Sequence, residues 1–213
     1  MPTAFLFDGP EDARVTLLLA HGAGAPMDSA AMTAMAKALA AAGLRVVRFE
    51  FGYMAARRSG TRKPPPRAER VLPEFVAAID DLGPTDGPLI IGGKSMGGRV
   101  ASLLADELYT ARRIAGLLCL GYPFHPPGRP EQLRTAHLAG LATPTLICQG
   151  TRDPFGPREE VETYGLSRAI ELFWLEDGDH DLKPRKSVSG LTAAQHLAAV
   201  ADRVRDWTGR LAP

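Results

Sequence analysis

A serine hydroxyl, an imidazole and a carboxylate can together break an acyl bond, and this sequence carries all three in an order that suits the task. Ser95 lies in Gly93-Lys-Ser95-Met-Gly97, a G-x-S-x-G directly after the apolar run Pro88-Leu-Ile-Ile-Gly92 and directly before a helical pattern. A strand-to-helix turn that exposes a nucleophilic serine needs glycines two residues either side, because side chains there would collide. Asp153, in Gln149-Gly-Thr-Arg-Asp153-Pro-Phe-Gly156, follows a later apolar run. His180, in Glu176-Asp-Gly-Asp-His180-Asp181, follows another. Neutral imidazole takes a serine proton near pH 7, and a carboxylate fixes its tautomer and stabilises the imidazolium that forms. The chemistry expected is nucleophilic acyl transfer on Ser95, with His180 as base and Asp153 as acid.

Blander assignments compete at each position. Gly93-Lys-Ser95 echoes the end of a phosphate-binding loop, but that motif has a glycine five residues earlier, where Pro88 stands. A plain glycine-rich turn is the other alternative. Asp153-Pro is also a common turn opener, and His180 could be one more polar residue in an acidic loop. Asp177, Asp179 and Asp181 rival Asp153 as the acid but stand too close to His180 in sequence. Of the other histidines, His196 falls within the last helical pattern and reads as structural, and His137 has no motif around it. His125, in Pro123-Phe-His-Pro-Pro127, is a candidate pocket residue.

A developing oxyanion calls for backbone N–H groups aimed at it. Met96, first in the helix after the serine, supplies one. His21-Gly-Ala-Gly-Ala25 ends an earlier apolar run, and Ala23 or Gly24 supplies the other, with His21 propping the loop. Arg57, Arg58, Arg62, Lys63 and Arg67 lie in a stretch without an acidic residue, expected as a loop at the same edge. Arg57 and Arg58 are candidates for recognising an anionic substrate.

The elements that must position these groups alternate. Apolar runs at Val15–Ala20, Arg45–Phe51, Pro88–Gly92, Ile114–Leu120, Thr145–Gln149 and Ile170–Leu175 read as strands. Helical periodicity appears at 28–42, about 67–82, Met96–Tyr109 and about 192–207. Strands apolar throughout are those of a parallel sheet covered on both faces. The fold class expected is α/β, a doubly wound, mostly parallel sheet, in one domain spanning 1–213. About 20 residues separate Leu120 from Leu141, too few for a large cap, so an open site is expected.

Composition agrees with a globular chain. Hydrophobic residues make up 45% and charged residues 23%, and the net charge of +1 gives no reason to expect nucleic acid. Acidic Asp8, Glu11 and Asp12 stand where a signal peptide would be basic, and no run reaches the ~20 apolar residues of a membrane helix. A cytoplasmic protein is therefore expected. Cys119 and Cys148 sit in apolar runs and read as buried thiols, with no zinc spacing. No metal cluster is visible and no cofactor is required; the oligomeric state is not encoded in any motif.

The segments His21–Asp28, Gly92-Gly-Lys-Ser-Met-Gly-Gly-Arg99, Gly150-Thr-Arg-Asp153 and Gly178-Asp-His180 resemble the dienelactone-hydrolase-like branch of the α/β-hydrolase superfamily. More narrowly, they resemble its small group related to testis-expressed proteins and chromatin-complex (NSL) subunits, which share the Gly-Gly-Lys-Ser-Met-Gly-Gly-Arg signature. The resemblance covers nearly the whole chain and implies the α/β-hydrolase fold and the same three site positions. Two departures stand out. Dienelactone hydrolase proper uses a cysteine where this chain has Ser95, so its substrate does not carry over. The usual leading hairpin is also reduced, with Phe5-Leu-Phe7 as its remnant.

The expectation is a serine hydrolase acting on a small carboxylic ester or thioester, with a small-molecule acyl substrate as its partner. The alternative from another class is a hydrolase-like binding scaffold without catalysis. A nucleotide-binding protein is disfavoured by the missing P-loop glycine and by the lack of G-x-G-x-x-G after the first strand.

Overall fold

The computed structural model describes residues 2–61 and 63–211. One seven-stranded sheet runs through it in the order β1-β3-β2-β4-β5-β6-β7. The strands are β1 (Phe5–Asp8), β2 (Thr16–Ala20), β3 (Arg45–Phe49), β4 (Leu89–Lys94), β5 (Gly116–Leu120), β6 (Thr145–Gly150) and β7 (Ile170–Leu175). All neighbours are parallel except β1, which pairs antiparallel with β3 from Phe5 opposite Phe49 to Asp8 opposite Val46.

The two faces of the sheet divide the core by the period of two. Leu17 and Leu19 pack with α1 (Ala30–Ala41) and α7 (Ala193–Thr208) on one side. Leu18 and Ala20 pack with α3 (Leu72–Leu82) and α4 (Met96–Thr110) on the other. Both caps on the first face are local. The Ser29 hydroxyl accepts the N–H of Met32 at the start of α1, and Thr192 forms a capping box with Gln195 at the start of α7.

Several elements differ from the periodicity. The helix expected from about residue 67 begins at Leu72, after a single 3-10 turn at Ala68–Arg70. Pro73 explains the shift, since proline is tolerated only in the first helical turn. The stretch from Arg57, expected as a loop, instead begins inside α2 (Gly52–Arg58), which buries Tyr53 and Met54 and ends with both arginines at its carbonyl terminus. Two short helices, α5 (Arg158–Val161) and α6 (Lys186–Ser189), fall in loops.

The chain leaves β2 for β3 on one side and returns to β4 on the other. The C-terminal ends of β2 and β4 therefore open a crevice where strand order reverses, the place at which open α/β sheets bind ligands. Between β5 and β6 the chain forms only one 3-10 turn, Leu138–Gly140, and no cap domain. Cys119 on β5 and Cys148 on β6 are buried free thiols. Burial raises both, Cys148 to about 12. Among the described residues no helix is long and apolar enough to cross a membrane.

Candidate active site

Ser95 occupies the turn between β4 and α4 with φ 50° and ψ −113°. A serine held at positive φ stores strain that the surroundings must enforce. Here they do so by close approach. A Cβ at Gly93 would lie 2.3 Å from the carbonyl oxygen of Ala20, and one at Gly97 would lie 2.4 Å from the same atom. Only glycine at both positions lets the turn lie flat against the end of β2. The Ser95 N–H donates to the Leu120 carbonyl at 3.0 Å, tying the turn to β5 as well.

Ser95 Oγ lies 2.8 Å from Nε2 of His180, whose Nδ1 lies 2.8 Å from Oδ2 of Asp153. An ionised carboxylate only accepts, so Nδ1 donates to Asp153 and leaves Nε2 of the neutral ring to accept from the serine. Asp153 is fully buried. Its Oδ1 accepts the N–H of Phe155 at 2.9 Å and its Oδ2 accepts from Gln149 Nε2 at 2.9 Å. The Phe155 ring stacks on His180 with centroids 4.1 Å apart.

The loop carrying His180 is stitched from several sides. Lys94, next to the serine, donates from Nζ to the His180 carbonyl at 2.6 Å and lies 3.6 Å from Asp181. Burial pushes the Lys94 ammonium below its ordinary value, against the pull of the surrounding carboxylates. Asp177 accepts the N–H of Arg185 at 2.6 Å and pairs with the guanidinium groups of Arg185 and Arg152. Those pairs hold its carboxyl at about 2. Asp179 accepts the N–H groups of Asp181 and Lys183 at 2.9 Å each. The three aspartates that rival Asp153 in the sequence are thus occupied in shaping this loop, and none bonds the imidazole.

On the other side of the serine, Ala23 and Gly24 follow β2. Among the described residues no acceptor takes the N–H groups of Ala23, Gly24 or Met96. The loop is fixed from behind: Tyr53 donates its hydroxyl to the Ala23 carbonyl at 3.1 Å. His21, fully buried, accepts the Phe51 N–H at Nε2 and donates from Nδ1 to the Gly22 carbonyl. Burial lowers its basicity, which suits this neutral tautomer.

A cavity of about 360 Å³ opens beside Ser95 and His180. Ala23 and Gly24 line it, as do Met32 and Met35 of α1, Leu182, and Leu197 of α7. The remaining pocket candidates lie outside its walls. His125 is buried behind Phe155, with Nε2 3.0 Å from Glu160 and Nδ1 2.8 Å from the Pro126 carbonyl. Arg58 pairs with Glu50 at 2.7 Å and Asp28 at 3.0 Å, carboxylates brought from outside the acid-free stretch by β3 and the loop before α1. Arg57 lies over the Tyr53 ring and donates to the Lys63 carbonyl. Arg62 lies outside the described residues.

Sequence reasoning passed over Gln149 and Phe155. Gln149, fully buried, is held on both sides of its amide by Tyr122 N–H and carbonyl and donates to Asp153. The one signal was a lone amide near the end of an otherwise apolar strand.

The chain belongs to a family of alpha/beta hydrolase domains, whose model matches residues 13–209. Solved structures share its fold. A dienelactone hydrolase from Anabaena variabilis is 21% identical, with a TM-score of 0.72 over 98% of this chain and 92% of that one. An alpha-beta serine hydrolase homologue from Coxiella burnetii is 19% identical, with a TM-score of 0.69 over 95% and 89%. A serine hydrolase without lid from Xanthomonas campestris is 19% identical, with a TM-score of 0.68 over 100% and 96%.

Proposed function

We propose that the chain is a serine hydrolase that cleaves a small carboxylic ester or thioester through an acyl-enzyme on Ser95. The observation that carries this reading is the unbroken hydrogen-bonded chain from Ser95 Oγ through His180 to buried Asp153. In the first step His180 Nε2 takes the serine proton as Oγ attacks the carbonyl carbon. The oxyanion lies on the N–H of Met96 and of Ala23 or Gly24, donors that no acceptor among the described residues uses. His180 then gives its proton to the departing alcohol or thiol, and the same base activates water to release the acid. Asp153 keeps the imidazole turned and compensates its charge, while Gln149 and Phe155 hold Asp153 and His180 in place. The scheme uses side chains and backbone of this chain alone. The Gly-Gly-Lys-Ser-Met-Gly-Gly-Arg turn supports a place in the dienelactone-hydrolase-like branch, and the open site supports a small-molecule acyl substrate.

Labelling with a fluorophosphonate, read by intact mass, tests the reading. Wild type is expected to gain one adduct and Ser95→Ala none. Failure of both folded proteins to label, with no turnover of activated esters, would overturn it in favour of a non-catalytic binding scaffold.

A further inference from the structure

A cavity of about 360 Å³ lies beside Ser95. Once a carbonyl carbon sits at Ser95 Oγ with its oxygen on the Met96 and Ala23 or Gly24 N–H groups, its acyl substituent must lie against a wall next to the serine. The wall on the side of α1 and α7 is aliphatic: Met32, Ala34 and Met35 from α1, Leu120 from the end of β5, Leu182, and Leu197 from α7. The other polar side chains that border it are Ser29, Lys94, Asp181 and Lys183. Ser29 Oγ accepts the Met32 N–H, Lys94 Nζ is bound to the His180 carbonyl, and Asp181 lies between Lys94 and Lys183. Asp181, Lys94 and Lys183 thus pair with one another, and the wall formed by α1, α7 and Leu182 presents, apart from Ser29, only aliphatic side chains.

We infer that this cavity, bounded by α1, α7 and the turn at Leu182, binds an unsubstituted alkyl chain of medium length, making the substrate class medium-chain acyl esters or thioesters. The inference rests on the hydrolase reading of Ser95 and deepens it. Length follows from volume. A methylene takes roughly the 30 Å³ that a water takes in the liquid, so 360 Å³ accommodates at most about 12 such groups. An optimum between about 6 and 12 carbons is expected.

The test is a series of p-nitrophenyl esters from acetate to palmitate, with kcat/KM read as a function of chain length. Each buried methylene contributes a factor of up to about four, so octanoate is expected to exceed acetate by at least about thirtyfold, with palmitate falling back. Ala34 faces the cavity and belongs to neither core cluster. Ala34→Trp is expected to cut the octanoate-to-acetate ratio at least about tenfold, and Leu197→Ala to move the optimum at least two carbons longer. Ratios within one variant cancel any loss of folded protein. Calorimetric titration of Ser95→Ala with methyl octanoate reads the cavity without chemistry, and binding lost in the Ser95→Ala, Ala34→Trp double variant supports the inference even if no ester is turned over. Turnover with a flat profile or a maximum at acetate would overturn the acyl cavity while leaving the hydrolase reading intact. Absence of methyl octanoate binding would likewise overturn it.

Discussion

At position 94 an ammonium is buried for the sake of a carbonyl. Lys94 ties the nucleophile turn to the backbone of His180, two segments 86 residues apart, and the tie sets where Nε2 stands relative to Oγ. Lys94→Met keeps the length of the stem and removes the tie. Misplacement of reacting groups by about 1 Å costs about a hundredfold, so the rate of fluorophosphonate labelling is expected to fall by ten- to a hundredfold. Exchanging a buried charge for an apolar group of similar volume is often neutral or stabilising, so the urea midpoint should hold. A parallel loss of midpoint and rate would make Lys94 merely structural. Ser95, Asp153 and His180 were legible because each stands just past its own apolar strand, and parallel strands deliver their C-terminal ends to one edge. Gln149 and Phe155 were not. The first looked like the end of a strand, and the second meets His180 only through the turn after Asp153.

The loops after β2 and β3 lean on each other through a single ring. His21 bridges its neighbour's carbonyl and the Phe51 N–H only while neutral, and burial holds it below its ordinary 6.5. The unfolded chain therefore binds the proton more readily, and stability must fall as pH drops below about 6.5, levelling only beneath the folded value. His21→Gln, studied by urea unfolding between pH 7.5 and 5, is expected to show a shallower fall than wild type. His137, shifted the same way by burial, contributes to the slope that remains. Equal slopes in both proteins would contradict this account. At this scale the sequence is a good guide to apolar strands and a poor one to the connections between them. The α2 helix was hidden because its C-terminal arginines run into Ser59-Gly60 and a proline-rich stretch, and the composition of that stretch reads as loop. The partners of Arg58 come from Asp28 and Glu50, so its neutralisation could not be seen in local charge.

For the molecule as a whole, the sheet order puts the crevice between the ends of β2 and β4, and no element within 121–144 folds over it. On the hydrolase reading, turnover should therefore need no lipid surface to begin. With p-nitrophenyl butyrate, the rate is expected to show no increase at the critical micelle concentration of an added detergent; an abrupt jump there would reveal a closing element that the fold does not show. The class of fold was readable from strand character alone, since strands apolar on both sides demand helices on both sides. The strand order was not, because pairing depends on contacts between segments far apart in the chain. One consequence concerns the two thiols in the middle of the sheet. Both are buried on adjacent central strands, and burial keeps them protonated well above neutral pH, so alkylating reagents find no native target in the folded molecule. A cysteine introduced on the solvent side of α7 would be the only one to react. The natural sequence is thus a ready background for attaching a fluorophore or spin label beside the crevice without first removing a single residue.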